Sequence, residues 1–260
     1  GGIGGWSMHF IGMQAMTIHD LHTDQDVKMN FDIFLTCISL MSIILFIFLG
    51  MWIATRDRAF FKSSLDVAEH LVSDGKVLSI REMKDKRSMR NLALFNGLRP
   101  LSCGGLVTGG GMCIMHYIGM TAQTGDIAIE WNSGIVFASL IIAVVVSITA
   151  FWIMFRLLSL YPTIELLRIG SALVMALAAC STHYTGMQAA IYHRRSHPLS
   201  FSATLTSETA ALICIVSGLI VSILIIMVIM ADLRSFYIRN AYIAQKSEMI
   251  LNEMESCQVP

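Results

Sequence analysis

Residues 31–55 read FDIFLTCISLMSIILFIFLGMWIAT. A helix needs roughly 20 mostly apolar residues to cross the hydrocarbon core of a bilayer, and this stretch supplies them. Outward from it, residues 133–155 and 209–231 meet the same condition with large side chains, chiefly Leu, Ile and Val. Residues 97–122 and 169–191 are as long but richer in Gly, Ala, Ser, Thr and Cys, and 1–16 reads as a sixth, incomplete segment. The fold class expected is all-α, a polytopic transmembrane helix bundle with six spans. The two kinds of span alternate. The large-residue spans are expected to face lipid and the small-residue spans to lie inside, because small side chains let helix backbones approach closely in a bilayer.

Composition agrees with that reading. Only 14% of the residues are charged and 55% are apolar, with a mean hydropathy of +0.66, whereas soluble domains carry about 25% charge. The formal net charge is zero, so nothing global points to a nucleic-acid partner. Five of the six cysteines (Cys37, Cys103, Cys113, Cys180 and Cys214, but not Cys257) lie in or beside apolar stretches. They are expected to be packed thiols, not a disulfide framework. Gly1 stands inside an apolar stretch with no initiator Met, basic n-region or cleavage site. The expectation is a fragment whose first helix is cut.

Orientation follows from Lys and Arg. Fifteen of the eighteen fall on one side of the proposed spans: in 56–96, at Arg99, Arg156 and Arg168, and in the tail at Arg234, Arg239 and Lys246. Lys28, Arg194 and Arg195 fall on the other. The positive-inside rule places the basic side and the C-terminus in the cytoplasm, as expected of a protein of the plasma membrane. Trp52 and Trp152 then lie near the inner boundary, and Trp131 and Tyr192 near the outer one, as an aromatic belt would. Within the loop 56–96, segments 64–78 and 81–94 read equally as amphipathic surface helices or as a solvated linker. Residues 234–260 read as a polar cytoplasmic tail or linker helix.

The inner helices share a motif. The copies are Met8-His9-Phe10-Ile11-Gly12-Met13-Gln14-Ala15, Met115-His116-Tyr117-Ile118-Gly119-Met120-Thr121-Ala122 and Thr182-His183-Tyr184-Thr185-Gly186-Met187-Gln188-Ala189. The shared core is His, aromatic, any residue, Gly, Met, any residue, Ala. His and the following Met are at i and i+4, on one helix face, and the Gly at i+3 clears space beside them. Cys113 and Cys180 stand one turn before their His, where the first copy has Trp6.

Depth unites the copies. His116 is 17 residues beyond Arg99, about 25 Å of helix, and His183 is 15 beyond Arg168, about 22 Å. All three histidines are expected in one layer in the outer part of the bilayer, where they can make a single site. An ionisable side chain inside a membrane is costly, so its default reading is functional. Neutral imidazole is the commonest protein metal ligand, and thioether is soft and suits Cu(I). A His or mixed His/Met set without carboxylate points to copper before zinc or calcium. The alternatives are a haem protein with two axial histidines, a copper transporter, and a purely structural hydrogen-bonded layer. No nucleotide motif, nucleophile arrangement or paired carboxylates point to an enzyme.

These motifs resemble the MHYT domain, a family of membrane-embedded sensors named for Met-His-Tyr-Thr, over 1–233. The resemblance implies seven spans, so that this chain lacks the first and the start of the second. It implies copper bound through motif Met and His, with Met8, His9, Met13, Met115, His116, Met120, His183 and Met187 as ligands. It also implies sensing of a diatomic gas (oxygen, carbon monoxide or nitric oxide) and, in many bacterial members, a cytoplasmic cyclic-dinucleotide enzyme as output. Two positions depart from the family pattern: Thr182 stands where Met is expected, and Phe10 replaces Tyr. Elsewhere, His19, Asp20, His22, Asp24 and Asp26, and separately His193 and His197, are expected to be solvated loop residues. Glu165 and Glu208 are expected at span boundaries.

Overall fold

The computed structural model describes residues 1–20, 25–27, 29–56, 94–95, 97–125, 127–161, 164–194 and 203–256. The expected segment 64–78 and all but the end of 81–94 lie outside the described residues, as do His22, Asp24 and His197. The helices are α1 (Gly2–Met13), α2 (Ile33–Ala54), α3 (Arg99–Thr121), α4 (Ser133–Trp152), α5 (Glu165–Met187) and α6 (Ser207–Ser256). A π-helical stretch, Ile153–Leu157, and a closing turn, Leu158–Leu160, extend α4. Among the described residues, Ile33–Ala54, Arg99–Thr121, Ser133–Leu160, Glu165–Met187 and Ser207–Tyr242 are long and apolar enough to cross a membrane. The chain is a multi-pass membrane protein. It divides into two units, Gly1–Cys214 and Ile215–Pro260; the second continues α6, and the candidate site lies wholly in the first.

Local chemistry sets the helix starts. The Asp32 carboxylate accepts from Leu35 N at 2.8 Å and caps α2. Asn132 Oδ1 accepts from Gly134 N and Ile135 N at 3.1 and 3.3 Å and caps α4. Pro100 sits in the first turn of α3, where its missing N–H costs nothing.

The faces of α2 and α4 are inverted relative to a water-soluble helix. On α2, Thr36, Ser39, Ile43, Gly50 and Ala54 are buried, while Phe34, Met41, Leu45, Phe48 and Trp52 are exposed. On α4, Ser139, Ala143 and Ser147 are buried, while Phe137, Ile141 and Val145 are exposed. Large apolar side chains cost nothing against lipid, and small ones allow close packing. α3 lies between these two helices. A Cβ on Gly50 would overlap Thr108 and come 2.7 Å from Gly104 O. A Cβ on Gly109 would come within 2.6 Å of the Val144 backbone on α4.

The connections near the motif ends of the helices are not plain loops. They form short antiparallel strands: β1 (Ile18–Asp20), β2 (Gln25–Val27), β3 (Asn30–Asp32), β4 (Gln123–Thr124), β5 (Ile127–Trp131), β6 (Ala190–Arg194) and β7 (Thr204–Thr206). β1 pairs with β2, β3 lies between β4 and β7, and β5 pairs with β6 from Ile127↔Arg194 to Trp131↔Ala190. The span expected at 169–191 therefore starts earlier, at Glu165, and ends at Met187, because Ala190 to Arg194 are drawn into strand pairing. Phe31, on β3, is fully buried and meets the Phe10 ring edge to face at 5.1 Å. The strands thus rest on the motif ends of the helices.

Candidate metal centre

α1, α3 and α5 each deliver one histidine to a common point. His9, His116 and His183 are all buried. Their imidazole rings stand nearly perpendicular to one another, at 83°, 87° and 88°, with centroids 4.9, 5.1 and 5.2 Å apart. Their Nδ1 atoms converge: His9 Nδ1 lies 3.2 Å from His183 Nδ1 and 3.1 Å from His116 Nδ1. The layer expected from helix depth is a contact cluster.

Hydrogen bonding alone satisfies this arrangement poorly. A neutral imidazole has one N–H and one acceptor nitrogen. His9 Nδ1 faces two other Nδ1 atoms with either one proton or one lone pair, so it cannot serve both contacts well. Each Nε2 is buried without a partner in hydrogen-bond geometry. A cation would take all three Nδ1 lone pairs. Metal–imidazole bonds of about 2.0–2.1 Å at tetrahedral angles place nitrogens about 3.3 Å apart, close to the separations found. The donor set therefore fits a metal ion. Among the described residues, these three are the His, Cys, Asp or Glu side chains whose donor atoms gather within 4.8 Å of one another, and no cysteine joins them.

The five candidate thioethers divide. Met8 and Met115 line a small apolar cavity with the three histidines, Met112, Cys113, Ser139, Ala179 and Thr182. Most of these residues precede their histidine by one or four positions, so the cavity lies on the side away from the strands. Cys113 lines it and Cys180 does not. Met13, Met120 and Met187 instead pack into an apolar cluster with Phe10, Phe31 and Met29. There Met120 Sδ accepts from Gln123 Nε2 at 3.6 Å.

The motif aromatics brace the site. Tyr117 OH is 2.7 Å from Ser139 Oγ on α4, and its ring meets Trp131 of β5 edge to face at 5.0 Å. Trp6, one turn before His9, donates from Nε1 to Ser39 Oγ of α2 at 3.1 Å. Tyr184 is half-exposed. Sequence reasoning missed Ser39 and Ser139, whose only trace was their place in otherwise apolar spans. The outer-loop pairs are exposed, with His19 3.1 Å from Asp26 and His193 3.1 Å from Glu130.

Two stretches match the family model described as the bacterial signalling protein N-terminal repeat, MHYT: residues 2–65 and 109–165. They hold the first and second motif copies, and the third histidine meets both. Over both stretches the chain carries MHYT repeat sequence. A bifunctional diguanylate cyclase/cyclic di-GMP phosphodiesterase, MucR of Pseudomonas aeruginosa, is 33% identical over 189 residues, 73% of this chain and 21% of that protein. The chain thus spans about a fifth of that relative's length. No solved structure matches it.

Proposed function

We propose that this MHYT chain is a membrane sensor module that holds one copper ion between His9, His116 and His183. The observation that carries the reading is the convergence of three buried Nδ1 atoms from three helices. Copper is preferred to zinc because the adjoining cavity is lined by the thioethers of Met8, Met112 and Met115 and by no carboxylate. Met13, Met120 and Met187 would close the centre on the strand side as a soft apolar cap.

Bound copper would supply an open coordination position and a change of oxidation state. The residues decide what reaches it. The cavity beside the histidines has room for about one water-sized molecule and apolar walls. That favours a small uncharged ligand, such as a diatomic gas that partitions into lipid, over an ion. Because the histidines sit on three helices, a change of ligation would shift those helices against one another. α6 would carry the shift to a cytoplasmic signalling partner; the two cyclic di-GMP activities of MucR motivate a partner of that class. The bias of Lys and Arg supports a cytoplasmic C-terminus.

Haem is disfavoured, because rings packed with centroids about 5 Å apart leave no slot for a planar macrocycle. A transporter is disfavoured because the imidazoles form one layer, not a path. The test is metal analysis with an optical spectrum on detergent-purified protein, supplied with copper and washed. The expected result is about one copper per chain, no Soret band, and loss of the metal from the triple His9, His116 and His183→Ala variant. Equal retention by that variant overturns the reading.

A further inference from the structure

The motif glycines face the histidines of other copies, not their own. A Cβ on Gly119 of α3 would overlap Nε2 of His9 on α1. A Cβ on Gly186 of α5 would overlap Nε2 of His116 on α3, and one on Gly12 of α1 would come 2.5 Å from Nε2 of His183 on α5. The pairings close a cycle, α1 on α3, α3 on α5 and α5 on α1. By contrast, Gly4, Gly5, Gly110 and Gly170, on the same three helices, have nothing within 4 Å of such a Cβ. The space that these three glycines leave is therefore filled, each time by the edge of one imidazole.

We propose that Gly12, Gly119 and Gly186 are the positioning residues of the histidine centre, each seating the imidazole of a different motif helix in a closed cycle. An imidazole has two nitrogens on opposite edges of the ring. With Nε2 against the glycine backbone, Nδ1 is turned to the common point, which sets the nitrogen each ring offers. The same contact makes every histidine a spacer between two helices. A ring that turns on gaining or losing a ligand presses on its neighbour's backbone, so the three helices respond together. This deepens the metal reading and rests on it only for what the centre holds.

The experiment is a set of thermal-unfolding measurements on the full chain in detergent, with copper retention read in parallel. Gly119→Ala is expected to lower Tm by several degrees and to cut retained copper about tenfold, as loss of an orienting contact does. In a His9→Ala background, Gly119→Ala should cost no further Tm, because the ring it collides with is gone. In a His183→Ala background the full penalty should persist. Gly186→Ala should be relieved only by His116→Ala, and Gly12→Ala only by His183→Ala. If Gly119→Ala alone yields no folded protein, recovery with His9→Ala but not with His183→Ala reads the same pairing. Equal penalties in all three histidine backgrounds, equal rescue by all three histidine removals, or recovery of neither double variant overturns the proposal. Because the pairing is read from Tm without metal, it stands or falls separately from copper binding.

Discussion

His9 and His116 bring their Nδ1 atoms to 3.1 Å although 107 residues separate them. His183, another 67 residues on, closes on His9 from a third helix at 3.2 Å. Three neutral rings can share one hydrogen bond at such a point, but a cation uses all three nitrogens. Copper retention and its pH dependence follow from that difference.

Single replacements should be unequal to conservative packing changes. His9→Ala, His116→Ala or His183→Ala each removes one of three nitrogens, and retained copper should fall by about tenfold or more. Met120→Leu, which keeps the volume in the apolar cluster, should leave retention within about twofold. Equilibrium dialysis against copper checks both.

Copper retention should depend on pH. Imidazole binds metal only when neutral, so metal and protons compete for Nδ1. Protein loaded at pH 8 should release its metal as the pH falls through the acid range, and reload on return. Dialysis at stepped pH, followed by metal analysis, measures this.

Helix packing gives a prediction independent of metal. Gly50→Ala would place a methyl group on Thr108 and against the Gly104 carbonyl. Overpacking of this kind costs about 1–3 kcal/mol. Gly110→Ala meets nothing within 4 Å, and should fall within about 0.5 kcal/mol of the parent. Unfolding in detergent distinguishes the two.

The Tyr117 to Ser139 bond at 2.7 Å joins α3 to α4. Interhelical hydrogen bonds in membrane proteins average about 0.6 kcal/mol. Tyr117→Phe and Ser139→Ala should each destabilise by about that amount, and the double variant by less than the sum. Additive losses in a double-mutant cycle would show that the two hydroxyls do not interact.

Much of the fold was legible because a bilayer imposes a length and a composition. Residues 31–55 and 133–155 announce α2 and α4, and the observed helices begin within two residues of those bounds. The histidine layer was legible because helix rise converts residue counts from Arg99 and Arg168 into depth. The strands were not, since pieces of two to five residues such as Gln123–Thr124 carry no period to read. The role of Gly12, Gly119 and Gly186 was half-legible. Spacing places each beside its own histidine, but which ring fills the space depends on how three helices meet. The i+4 methionines show the same limit: they share a face with their histidines, yet Met13, Met120 and Met187 pack into the cluster that also holds Phe31 of β3.

X-ray absorption at the copper edge, on copper-loaded and washed protein, tests the central claim most directly. The account predicts a first shell of about three imidazole nitrogens near 2.0 Å, with the imidazole signal reduced in His116→Ala. A shell of sulfur alone, or a spectrum unchanged by His116→Ala, would contradict it.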